Sequence, residues 1–211
     1  KAWRGFKTIA LERGGQPVKG KLAMAYDDQN LYLNYQINDP SPWKNQGKDH
    51  TRLFKTGDAV DIQLSPSCNA KREPVEGDLR VLIASYKKKP TAVLMRPKVK
   101  GGAKADEKVV YHSPVFDKPF DQVKILDEVD IVVKPRGNRY ELRAQIPWSS
   151  LGITPKKGMK LRGDAGFILS DEAGAINTAR VYWSNKHTNL VNDLPSEAWL
   201  FPKNWGEFEL N

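Results

Sequence analysis

The stretch LYLNYQI puts Leu31, Leu33, Tyr35 and Ile37 on one side of a two-residue period, and Tyr32, Asn34 and Gln36 on the other. Such alternation marks a half-buried β-strand. KGKLAMAY precedes it, and the DDQN between them predicts a hairpin whose Asp and Asn residues take up the left-handed turn. AVDIQLS repeats the period, with Val60, Ile62 and Leu64 facing a core and Asp61 and Gln63 facing away. DLRVLIASY and TAVLMRP read as a second hairpin, turned by Lys87, Lys88 and Lys89. VDIVVKPRGNRYELRAQIPW reads as a third, with Gly137 and Asn138 at its tip. GDAGFILSD, TARVYWS and GEFEL complete the set, and helix is confined to one turn in PWSSLG, opened by Pro147 and stopped by Gly152.

About ten or eleven short strands, with turn signals roughly every 8–15 residues, predict an all-β fold. The expected architecture is a two-sheet antiparallel β-sandwich, jelly-roll-like, with minimal helix and one domain over residues 1–211. Two long loops interrupt the pattern, residues 39–57 and 98–121. A third runs up to the last strand, and residues 182–210 hold three tryptophans and four asparagines. A connection that only joins strands is commonly about 4–6 residues long. It also avoids exposed indole rings, so this segment reads as a lid or a working surface.

Charge changes the picture more than composition does. The net charge is +9, with lysines grouped at 87–89, at 98, 100, 104 and 108, and at 156–157. Such a surface attracts polyanions, acidic or sulfated glycans among them, although lysines in turns are also ordinary solvated groups. RNA-binding signatures and helix-turn-helix patterns are missing, so nucleic acid is not an expected partner. No apolar run approaches a membrane span, and no signal peptide is visible. The chain begins in mid-pattern, which suggests a mature chain or a module excised from a larger protein. Cys68 is the only cysteine, which excludes an internal disulfide and a multi-cysteine metal site.

Catalytic constellations are weak. Ser184, His187 and Asp193 lie close in sequence, whereas triad members normally come from distant parts of a fold. No Gly-x-Ser-x-Gly elbow is present, and the expectation is that the chain is not an enzyme. His50, His112 and His187 lack zinc spacing. Asp39, Asp49, Asp58, Asp193 and Glu197 sit in loops where they could offer oxygens to calcium or simply serve turns and caps, and Asp39 and Asp58 are the candidate ligands.

The outward positions of the strands say more. Asp61, Gln63, Arg80, Glu141, Arg143 and Gln145 form a set of long polar groups pointing away from the core. They read either as a solvated face or as a kit for directional hydrogen bonds to hydroxyls. The tryptophans divide: Trp3, Trp148 and Trp183 read as core and Trp205 as cover for the sandwich edge. Trp43 and Trp199 lie in polar, proline-containing loops and are the candidate exposed platforms on which a sugar ring would stack.

LAMAYDDQNLYLNYQINDPSPW, TGDAVDIQLSP, DLRVLIASY, RYELRAQIPWSSLGITPKKG and the closing YWSN…SEAWLFPKNWGEFEL, in that order, resemble the family 9 carbohydrate-binding modules over almost the whole chain. The resemblance implies a jelly-roll-type sandwich that binds sugars without catalysis and often carries calcium. It implies two tryptophans clamping a terminal sugar, with a carboxylate and arginines on adjacent strands bonding its hydroxyls. The family carboxylate, in a D-[SA]-V-[ED]-I pattern, falls on Asp61, and the arginine of the next strand on Arg80. The C-terminal clamp falls on Trp199, and Arg180 is a looser match for another sugar-contacting position. Where the family has its first clamp, RLFKTGDAVD offers Phe54 and no tryptophan, and Asp61 stands where Glu is commoner.

The expected function is therefore a carbohydrate-binding module, with Trp199, Asp61, Arg80, Arg180, Arg143, Phe54 and Trp43 as its site. It would be a monomeric module targeting a larger bacterial protein, extracellular, periplasmic or at the cell surface, to polysaccharide or oligosaccharide. Two alternatives stay open. One is a haem b-binding electron-transfer sandwich drawing ligands from His50, His112, His187, Met24, Met95 and Met159. The other is a structural or adhesive domain with a degenerate sugar site.

Overall fold

The computed structural model describes residues 4–12, 14–15, 18–114, 117–187 and 200–211. The chain is an all-β antiparallel sandwich. One sheet has five strands in the order β1 (Arg4–Glu12), β2 (Lys19–Tyr26), β3 (Asn30–Asn38), β11 (Arg139–Pro147) and β10 (Asp130–Pro135). The other has seven: β13 (Asn177–Tyr182), β12 (Lys160–Ser170), β4 (Ala59–Ser65), β5 (Leu79–Tyr86), β6 (Lys89–Arg96) and β9 (Gln122–Leu126), with β14 (Gly206–Glu209) beside the first half of β12. A small ribbon joins β7 (Val109–Tyr111) to β8 (Lys118–Phe120).

The two-residue period sets the core. Leu31, Leu33, Tyr35 and Ile37 of β3 meet Val60, Ile62 and Leu64 of β4 and Val81 and Ile83 of β5 between the sheets. Tyr35 spans this layer and donates from its hydroxyl to the Asp61 carbonyl at 2.7 Å. The helical turn appears where expected, as α1 (Trp148–Leu151), closed by Gly152 at φ +63°.

Several local expectations change. Fourteen strands occur among the described residues, because β7 and β8 condense out of the supposed loop 98–121 and β1 and β9 carry weaker sequence signals. The DDQN turn is not left-handed: Asp27 Oδ1 accepts the backbone N–H groups of Gln29 and Asn30, a side-chain-closed turn. Among the described residues only Lys87 and Lys88 are non-glycines with positive φ, at 49° and 64°. They match the twist a two-residue hairpin needs, at a cost on the order of 1 kcal/mol per residue.

Both loops of the sequence reading then find their place. Residues 50–55 form a 3-10 helix whose Leu53 and Phe54 pack with Tyr111 of β7 and Phe120 of β8 on the outer face of the seven-stranded sheet. There they meet Leu82, Val93, Met95 and Ile168 in a second apolar cluster. The outer face of the five-stranded sheet has no such cover among the described residues.

Candidate functional site

Asp61 lies on β4 between β12 and β5, with Gly166 and Leu82 as its cross-strand neighbours. Arg80 lies two register positions along on β5, opposite Gln63, and its guanidinium reaches Asp61 Oδ2 at 2.5 Å. Tyr182 of β13 donates its hydroxyl to the same oxygen at 2.5 Å and lies 3.2 Å from the Arg80 Nη2 donor. Its reach depends on Gly166, which stands between the two in the sheet: a Cβ there would come within 2.5 Å of the Tyr182 ring. Gly166 thus leaves the room through which Tyr182 crosses β12.

The cluster extends sideways. Gln63 Nε2 approaches Asp61 Oδ1 at 3.4 Å, and Trp205 Nε1 donates to Gln63 Oε1 at 2.9 Å. Asp61 and Arg80 are each 1% exposed. Such a buried pair is held only because both ions are hydrogen-bonded. The Arg80 guanidinium is held charged, with Asp61 opposing the burial that would lower its pKa. Burial also pushes the Tyr182 hydroxyl far above its usual range, so it serves as a donor.

Phe54 is fully buried, with its ring under the Arg80 guanidinium at 5.7 Å and edge-on to Tyr111 at 5.4 Å. Arg180, also buried, donates to the Phe54 carbonyl at 2.5 Å, and Asn177 Nδ2 donates to it at 2.8 Å. Arg180 therefore clamps the 3-10 helix to the sheet, and neither side chain opens to solvent. Trp199 lies outside the described residues, as do Trp3, Asp193 and Glu197.

The structure separates Arg143 from this group. β11 belongs to the five-stranded sheet, so Arg143, Glu141 and Gln145 point outward on the opposite side of the sandwich from Asp61 and Arg80. The single polar row expected from the sequence is two rows, because equal parity on strands of different sheets does not mean the same face. Arg143 pairs with Glu141 at 2.6 Å and lines a shallow groove with Tyr32, Asn34 and Gln145. That arginine holds the Glu141 carboxyl below its usual pKa.

Trp43 is half-buried, its ring 6.3 Å from that of Tyr140. The loop carrying it is tied down at both sides. Ser41 donates from its N–H and hydroxyl to Asp39 Oδ1, while the Lys44 N–H donates to Asp58 Oδ2 at 2.8 Å. Asp58 also accepts from the Ser170 N–H and hydroxyl, and burial pushes its pKa up to about 6. Asp49 caps the 3-10 helix through Thr51, an ordinary turn role.

Calcium can be tested against these groups. Asp39 and Asp58 are buried and interact electrostatically, no ion pair to either is found, and Asp39 Oδ2 has no hydrogen-bond partner among the described residues. Two enclosed anions with an open oxygen fit a hard cation in charge. Among the described residues no third acidic, histidine or cysteine side chain joins them, so further ligands would come from carbonyls and water.

Sequence reading missed Tyr182, Gly166 and Asp164. Tyr182 was accessible, since it shares parity with Arg180 two residues before it. Asp164 was not: it accepts the N–H groups of Ala165, Ser184 and Asn185, and burial pushes its pKa up to about 7.

No family profile matches the sequence, and no curated protein matches it. Solved structures do. A family 9 carbohydrate-binding module from Caldicellulosiruptor kristjanssonii in complex with cellotriose superimposes with a TM-score of 0.58 at 15% identity, over 99% of this chain and 81% of that one. The same type of module in complex with glucose gives 0.59 at 15% identity, over 100% and 84%. A Bacteroides uniformis protein provisionally described as carbohydrate-binding gives 0.53 at 13% identity, over 97% and 86%. At these identities the likeness is one of fold.

Proposed function

We propose that this chain is a non-catalytic carbohydrate-binding module that holds a larger, secreted or surface-bound protein near a polysaccharide, raising effective concentration without chemistry. The observation that carries the reading is the sandwich shared, over essentially the whole chain, with modules solved in complex with cellotriose and glucose. Asp61, Arg80 and Arg180 are the polar floor of the site and Trp199 its platform. Phe54 stands where the first clamping ring is expected. Because Asp61 and Arg80 are paired and buried, binding requires the covering side chains to withdraw and the pair to exchange its partners for sugar hydroxyls.

The test is a fluorescence titration with cello-oligosaccharides and a wider glycan panel. A saturable change is expected that is lost in Trp199→Ala while the far-ultraviolet spectrum is retained. Undiminished binding by that variant counts against the site, and a flat panel counts against the function.

The reading also gives Asp39 and Asp58 a calcium ion. Calcium is expected to raise the thermal midpoint over a chelated sample, and Asp39→Asn to remove the difference. Equal midpoints in the wild type would exclude the site. A structural domain with a closed sugar site is favoured by one specific observation, the mutual pairing of Asp61 and Arg80 at 1% exposure. The same titration decides between the two.

A further inference from the structure

A second cleft lies away from the Asp61 cluster, where residues 40–44 meet the β5–β6 and β10–β11 turns. Its volume is about 670 Å³, within the range that encloses small ligands. Trp43 and Tyr140 line its floor, four prolines flank them, and Lys44, Lys88 and Arg139 supply cations. Among the described residues no acidic side chain lines it; Asp58 and Asp39, the carboxylates that act on Tyr140, are 0% and 2% exposed.

We propose that this cleft binds an anionic sugar, one bearing a carboxylate or a sulfate, with its ring on Trp43 and its charge against Lys88 and Arg139. An indole beside prolines offers the flat apolar surface that a pyranose face covers, and the exposed cations select the anionic member of any mixture. The platform is preorganised. The bonds from Ser41 to Asp39 and from Lys44 to Asp58 fix the chain on both sides of Trp43, so little ordering remains at binding.

The β5–β6 turn gives an independent reason. Asparagine followed by glycine fills such a turn with least strain, yet Lys87 and Lys88 hold the left-handed positions here. Strain kept at the edge of a cleft, in the residue that delivers a cation to it, is the pattern of a functional constraint.

Calorimetry near physiological salt with four probes tests this: an oligogalacturonate, a heparin-derived oligosaccharide, cellohexaose and polyphosphate. Saturable binding of the oligogalacturonate, the heparin fragment or both is expected, and which of them binds separates carboxylate from sulfate. Trp43→Ala should weaken that binding by more than about tenfold. Lys88→Gly should weaken it by about tenfold while the thermal midpoint holds or rises, since glycine adopts the turn without strain. Trp199→Ala should leave it unchanged, which separates this cleft from the site of the proposed function. Three results overturn the proposal: cellohexaose alone binding, polyphosphate binding as tightly with no effect of Trp43→Ala, or acidic-glycan affinity falling with Trp199→Ala and not with Trp43→Ala.

Discussion

The outer faces of the two sheets carry similar sequence patterns and opposite physics. On the seven-stranded sheet, Asp61, Gln63 and Arg80 alternate with core residues exactly as a solvated strand would, yet they are buried and bonded to one another. On the five-stranded sheet, Glu141, Arg143 and Gln145 alternate in the same way, and Arg143 stands in water. What separates them is the cover. Leu53, Phe54, Tyr111 and Phe120 roof the first face and nothing described roofs the second. An arginine–carboxylate pair is thus roofed and desolvated on one side and a half-solvated surface group on the other.

Removing one ion from each pair should expose this most strongly. Arg80→Ala removes the cation from Asp61 beneath an apolar roof, with Tyr182 and Gln63 its remaining side-chain partners among the described residues. A loss of about 3–5 kcal/mol in urea unfolding is expected. Arg80→Met combined with Asp61→Asn should recover part of that, because the stranded charge is then gone. A loss below about 1 kcal/mol for Arg80→Ala would mean that water already reaches the cluster, and that the contrast between the faces is overstated.

Acid titration sharpens the comparison, since the two faces shift their carboxyls in opposite directions. Asp164, on the covered face, is pushed up to about 7 in the folded chain by burial. The folded state therefore holds a proton that the unfolded state releases near pH 4, and this group's contribution to stability falls as pH rises between about 4 and 7. Asp58, raised to about 6 by burial, acts in the same sense in a chelated sample. Glu141, lowered by Arg143, acts in the opposite sense below its usual pKa. The urea midpoint is expected to be higher at pH 5 than at pH 8, by an amount on the order of a few kcal/mol in free energy. A midpoint that rises with pH over that interval would show that the three N–H groups on Asp164 outweigh its burial.

The sequence carried the strand periods well, because which residues face inward is a local property of a strand. Val60, Ile62 and Leu64 sit between the sheets as their alternation requires. Pro147 and Gly152 bracket α1 for equally local reasons. What periodicity does not encode is which sheet a strand joins, and that placed Arg143 opposite Arg80. Nor does it encode what a loop folds onto. Phe54 reads as a candidate sugar platform in its own segment and becomes a roof once Tyr111 and Phe120 pack beside it. Lys88 is a plain turn lysine in sequence, and only its φ of 64° marks it. The candidate site was legible as residue types, and not as an arrangement.

The smallest effect belongs to the open face and is the most direct check on it. Arg143 is 58% exposed in its side chain and its partner Glu141 9%, so their pair is half in solvent. Exposed pairs contribute about 0–1 kcal/mol, and Arg143→Ala should lower stability by no more than about 0.5 kcal/mol. The informative readout is the neighbour. With Arg143 gone, Glu141 loses the bond from the Arg143 Nε and the charge that hold its carboxyl low, leaving Arg136 as the remaining cation on it among the described residues. An NMR titration of Glu141 should therefore move upward while the urea midpoint hardly changes. If the midpoint instead drops as far as in Arg80→Ala, the outer face of the five-stranded sheet is as tightly integrated as the covered one, and its groove is structural surface.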